Sequence, residues 1–105
     1  MSNKKNYRIT IEEIEGQSPT PQTLLFEFQD REDLFKIVEN LKKGSELDAT
    51  QAIRVGVALR LLGPVMMMNH KHPLFADFMP HFKTFMQSLK NTVKQSLLLQ
   101  QQYRD

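Results

Sequence analysis

Tyr7, Ile9 and Ile11 alternate with Arg8, Thr10 and Glu12, the period of two that buries one face of a β-strand. Ile14 falls on the opposite parity, so the strand either bulges near Glu13 or ends there. After a loop at residues 16–21, in which Pro19 and Pro21 cannot donate ladder hydrogen bonds, Leu24, Phe26 and Phe28 alternate with Leu25, Glu27 and Gln29. The two runs predict an antiparallel hairpin. Two strands alone are only marginally stable, so the hairpin needs helices over its apolar face or a further copy extending its sheet.

The period then changes to that of a helix. Leu34, Ile37, Val38 and Leu41 form an i, i+3, i+4, i+7 stripe, with Asp30 as the expected N-cap, Lys42 and Lys43 at the C-terminal end, and Gly44 as the expected left-handed closing residue. Asp48 with Gln51 three residues later suggests a capping box for a second helix, running through Ile53, Val57 and Leu61 to Gly63 and Pro64. Only Gln51, Arg54 and Arg60 are clearly polar along it, so much of its circumference should be buried. Gly56 in its middle costs about 1 kcal/mol relative to alanine, which points to a neighbour approaching closely. Pro64 suits the first position of a short helix, and Pro73 that of the next. Phe75, Phe78, Phe82 and Phe85 recur at steps of three and four, continued by Leu89, Val93 and Leu97, and predict a single buried helical face. Pro80 interrupts that line and divides a short helical turn at 74–79 from a long helix at 80–100. Such a helix extends roughly 30 Å, so its end, with Leu97, Leu98 and Leu99 before three glutamines, should project with little to pack against.

These elements predict an α+β fold, an N-terminal antiparallel β-hairpin packed on three to four α-helices. The 105 residues suit a single domain at 1–105, with a compact core at about 7–90 and a helical C-terminal extension at 91–105. With 40% hydrophobic and 25% charged residues the chain has ordinary globular composition. It has no cysteine, which excludes disulfides, thiolate nucleophiles and Cys-ligated metals. The N-terminus is polar and lacks the apolar segment of a signal peptide, and no run reaches the roughly 18 apolar residues of a membrane span; a cytoplasmic setting without membrane contact is the expectation. The net charge of +2 hides an asymmetry, since residues 1–48 hold ten acids and seven bases (7 − 10 = −3) and residues 49–105 seven bases and two acids (7 − 2 = +5). Such a dipole can steer a charged partner or favour self-association.

No catalytic constellation stands out. Ser45 and Ser88 lack a base and an orienting acid nearby in sequence, and Glu12, Glu13 and Glu15 lack an evident cleft. His70 and His72, with His81 further on, are weak metal candidates: on a helix a two-residue spacing points the rings about 200° apart, and Lys71 between them repels a cation. No cofactor is implied. Lys83, Lys90 and Lys94 could form a weak basic stripe, but the phenylalanines should face inward, so nucleic acid is not favoured. Met66, Met67 and Met68, beside Phe75 and Phe78, either fill the core or line a pocket for an apolar ligand, because methionine is flexible and polarizable.

The segments Tyr7-Arg8-Ile9-Thr10, Asp33-Leu34-Phe35-Lys36-Ile37-Val38, Leu62-Gly63 and His72-Pro73-Leu74-Phe75-Ala76, followed by Phe82, Phe85, Met86 and Leu89, resemble a small bacterial family catalogued as a domain of unknown function, number 3861, over about residues 7–90. The resemblance implies a compact cytosolic α+β domain and transfers no catalytic or binding residue. The functional expectation is therefore a small non-enzymatic interaction or regulatory module, self-associating as a homodimer, or binding another protein, through the hairpin edge or the projecting Leu97, Leu98 and Leu99. The alternative is a carrier of a small apolar ligand lined by Met66, Met67, Met68, Phe75 and Phe78.

Overall fold

A computed structural model describes residues 4–16 and 19–102, in the order β1 (Lys5–Glu12), β2 (Thr23–Asp30), α1 (Leu34–Gly44), α2 (Ala49–Met68), α3 (Pro73–Ala76) and α4 (Met79–Gln102). The architecture is α+β, an antiparallel two-stranded hairpin followed by four helices. The chain divides into two compact units, Met1–Asp33 and Leu34–Asp105.

In the hairpin unit, Tyr7 pairs with Phe28, Ile9 with Phe26 and Ile11 with Leu24, which puts these six apolar residues on one face and leaves Leu25, paired with Thr10, on the other. The Tyr7 and Phe28 rings lie 5.4 Å apart, tilted by 36°. On the opposite face Arg8 pairs with Glu27 at 3.0 Å, an exposed ion pair contributing at most about 1 kcal/mol. The ladder continues one bond past β1, from the Glu13 amide to the Gln22 carbonyl, so the strand ends without a bulge and leaves Ile14 exposed. Residues 17 and 18 of the expected loop lie outside the described residues.

Asp30 does not occupy the N-cap position, since α1 opens only at Leu34. It is the last residue of β2, it is buried, and its carboxylate accepts from the Glu32 amide to close the turn that leaves the strand. Tyr7 helps hold this turn by donating its hydroxyl to the Glu32 carbonyl.

In the helical unit α1 presents the expected stripe, with Leu34 and Leu41 buried and Ile37 and Val38 half-buried, and packs against both α2 and α4. Gly56 faces α1: a Cβ there would stand 3.0 Å from Leu41 Cδ1 and 3.2 Å from Val38 Cγ2. Gly44 plays the same part against α4 and does not adopt a left-handed conformation. It is buried, and a Cβ would meet the Cα, Cγ1 and O of Val93 at 3.0 Å. The positive φ falls two residues later, on Glu46, at 68°.

The capping oxygen of Asp48 accepts from the Gln51 amide at 2.8 Å, as the spacing predicts. Asp48→Ala should lower stability by about 1 kcal/mol, and Asp48→Asn should leave it almost unchanged; the midpoint of urea unfolding followed by helical circular dichroism checks both. Contrary to the expectation from Gly63 and Pro64, α2 does not stop there but continues to Met68. Pro64 supplies no amide N–H, but its own side is exposed, and the turn beyond it is secured by burial of Met66 and by Asn69. The Asn69 amide bonds to the Val65 and Met66 carbonyls and its Nδ2 donates to Val65 O at 2.7 Å.

Pro73 opens α3 and Pro80 occupies the second position of α4, so the division predicted at Pro80 is present. The phenylalanine line is not a buried face, however. Phe75 and Phe82 are half-buried, while Phe78 and Phe85 are each 48% exposed. The residues that face inward on α4 are Met79, which is buried, and Phe82, Met86, Leu89, Val93 and Leu97, which are half-buried.

Candidate interaction surfaces

Helix α2 carries two seams with the same spacing. Ala52, Gly56, Leu59, Gly63 and Met66 follow steps of four, three, four and three and form the inward stripe; Ala52, Gly56 and Met66 are buried and the other two half-buried. Arg54, Ala58, Leu61, Val65 and Met68 repeat those steps two residues on. At 100° per residue the two stripes lie about 160° apart, nearly on opposite sides of the helix. In the outward stripe Arg54, Ala58, Val65 and Met68 are exposed and Leu61 is half-buried. Leu62 and Ile53 flank it and are also exposed. From Leu61 to Asn69 the helix holds no charged residue.

By length and composition α2 is apolar enough to cross a membrane, with mean hydropathy 1.3 over an 18-residue window, which the expectation of no such run had missed. Arg54 and Arg60 within it weigh against that use, since each costs about 2.5–3.5 kcal/mol near the centre of a bilayer-spanning helix.

The methionine triplet splits. Met66 is fully buried, whereas Met67 and Met68 are exposed, and Phe78 shares its exposed edge with the half-buried Phe82 ring, 6.1 Å away. Gly63 looks towards Phe82, whose Cζ would stand 3.9 Å from an added Cβ. The histidines act at helix boundaries. His70 Nδ1 lies 3.1 Å from the Met67 carbonyl at the end of α2, and His72 Nδ1 accepts from the Leu74 amide at 3.1 Å to cap α3. These contacts require opposite tautomers, with the proton on Nδ1 of His70 and on Nε2 of neutral His72. Among the described residues no three His, Asp or Glu side chains gather as a metal site.

At the end of α4 Leu97 is half-buried and Leu98 and Leu99 are exposed. This segment is tied to α1, because Gln100 Nε2 donates to the Lys43 carbonyl at 2.7 Å and so satisfies a carbonyl in the last turn of α1. Lys83, Lys90 and Lys94 are exposed on the outer side of α4. Ser45 Oγ accepts from the Leu47 amide, a local turn contact.

An open depression of about 630 Å³ on the hairpin unit is lined by Asn6, Tyr7, Arg8, Glu27, Phe28 and Gln29. It surrounds the exposed Arg8–Glu27 pair and was not anticipated from the sequence, because its polar lining comes from two strands whose register the alternation alone does not give. The outward stripe of α2 was also missed. A helix that is apolar on nearly all sides shows no single periodic face, so two stripes cannot be separated until one has been assigned to a neighbour.

A family model described as a domain of unknown function with a solved structure, DUF3861, matches residues 5–91. A crystal structure of a protein of unknown function from Pectobacterium atrosepticum is similar, with 39% sequence identity and a TM-score of 0.74, covering 83% of this chain and 97% of that one. No curated protein matches the chain.

Proposed function

We propose, for a chain that belongs to the DUF3861 family, the function of a small non-enzymatic interaction module that self-associates as a homodimer through apolar surface on its helical unit. The observation that carries this reading is the number of large apolar side chains that the described helices leave open. Val65, Met67, Met68, Leu74, Phe85 and Leu99 are all exposed, and Met68 reaches 83%. Single exposed apolar residues need no explanation, whereas a helix lined with them is the mark of a surface awaiting a partner. Burying such surface contributes roughly 25 cal/mol per Å², set against the freedom two chains lose on association, so the dimer is expected to be reversible.

Light scattering after size-exclusion chromatography, at several concentrations and at low and high salt, tests the reading. The expected mass rises with concentration from the 12.3 kDa of one chain towards twice that value. High salt should leave an apolar interface intact, because screening weakens exposed charge pairs and spares burial. A mass of one chain throughout would remove self-association. The apolar-ligand reading of Met66, Met67, Met68, Phe75 and Phe78, of which Met66 is fully buried, would then be tested by thermal stabilisation with a panel of fatty acids and aromatic compounds.

A further inference from the structure

We infer that the outward stripe of α2 is the seam on which a second copy of this chain docks, the two α2 helices running antiparallel about a two-fold axis level with Gly63. The inference deepens the self-association reading and rests on it. Three observations select this surface and this occupant.

The first is spacing. Ala58, Leu61, Val65 and Met68 follow the 3-4 repeat that lets one helix set its side chains into the grooves of another at a shallow crossing angle. The inward stripe with the same repeat is already occupied, at Gly56 by α1 and at Gly63 by Phe82 of α4, so this helix already packs by that pattern.

The second is self-complementarity, which a two-fold interface demands. Antiparallel pairing centred at Gly63 sets Ala58 against the partner's Met68 and Leu61 against the partner's Val65, small opposite large at the outer pair and two branched side chains nearer the axis. Arg54 then falls beyond the end of the opposing α2. Parallel pairing would instead place Arg54 against its own copy, oppose the two bulky Met68 side chains, and align the two helix dipoles unfavourably.

The third is area. Val65 and Met68 with the flanks Ile53 and Leu62 are 46%, 83%, 41% and 43% exposed, which leaves on the order of 400 Å² of apolar surface open on each chain, the scale of a weak, reversible interface. An occupant that bears charge on its contacting face would meet no opposite charge between Leu61 and Asn69.

Val65→Arg places a charge at the middle of the seam on a side chain that is exposed in the single chain, so folding should survive while the dimer weakens at least about tenfold, read as a raised dissociation constant by light scattering or sedimentation. The paired variant Leu98→Arg with Leu99→Arg should leave the dimer unchanged. A wild-type dimer that resists Val65→Arg, or that yields to the Leu98/Leu99 variant instead, overturns the seam and leaves self-association standing; a wild-type monomer at all concentrations overturns both. The absence of cysteine permits a second measurement that does not depend on Val65→Arg folding well. Ala58→Cys and Met68→Cys proteins, mixed and oxidised, should form the mixed disulfide in preference to either homodimeric one. Predominant homodimeric disulfides, or none from a dimeric sample, would overturn the antiparallel arrangement.

Discussion

Replacing Met66 with alanine will lower stability by about 2–5 kcal/mol, the range for truncating a large buried aliphatic side chain. Among the described residues the buried apolar set is short, comprising Leu34, Leu41, Ala52, Met66 and Met79, and Met66 is the large side chain with no accessible surface at all. Truncation removes its transfer free energy and leaves a cavity that neighbouring side chains can only partly fill. The effect should be out of proportion to its position, because Met66 lies two residues past Pro64, on the turn of α2 that local sequence would end. Met66→Leu, which nearly conserves volume, should cost less than about 1.5 kcal/mol. Met68→Ala should stay within about 0.5 kcal/mol in the monomeric protein, as that side chain is 83% exposed. Urea unfolding of all three variants at one low protein concentration, followed by far-ultraviolet circular dichroism, gives the comparison. A Met66→Ala midpoint equal to that of Met68→Ala would show that the last two turns of α2 do not contribute to the cooperative core.

The second large effect is expected at Gly44. A methyl group there would lie 3.0 Å from the Cα and carbonyl oxygen of Val93, and backbone can move aside only if α4 shifts as a body. Gly44→Ala should therefore cost about 1–3 kcal/mol despite the better helix propensity of alanine. Gly56→Ala is the contrasting case. Its new methyl would press on Leu41 Cδ1, the end of a side chain able to turn away, and on Val38 Cγ2, which a β-branched residue in a helix can shift only a little, and the propensity gain of about 1 kcal/mol at a mid-helix position offsets part of the crowding. Thermal unfolding should thus rank Gly44→Ala well below Gly56→Ala. The reverse order would make the contact of α1 with α2 the rigid one and that with α4 the yielding one.

These two glycines also mark how far the fold could be read from the chain. Gly56 was understood correctly, since a glycine inside an apolar helix has few reasons to be there apart from a close neighbour. Gly44 was assigned the wrong reason, because a glycine after Lys42 and Lys43 satisfies the local rule for a helix end equally well, and only the packed structure reveals Val93 against it. The hairpin alternation, the stripe of α1, the Asp48 cap and the proline starts of α3 and α4 depend on neighbours in sequence and were legible. The extension of α2 past Pro64 and the duty of Asp30 in a strand-to-helix turn depend on burial and were not. The phenylalanine line illustrates the same limit. Spacing identifies residues that share a side of a helix, but Phe78 and Phe85 remain nearly half exposed because spacing does not say whether anything stands on that side.

The doubled stripe on α2 has a consequence for how this chain can change over time. With Ala52, Gly56, Leu59, Gly63 and Met66 turned towards the helices packed on α2, and Ala58, Leu61, Val65 and Met68 on the proposed seam, few positions between residues 52 and 68 would accept a substitution without disturbing one side or the other. Residues 14–16 and 19–21 between the two strands carry no such double obligation. Drift in related chains should gather in that loop while α2 lags behind, as a wall shared by two rooms is the last to be moved.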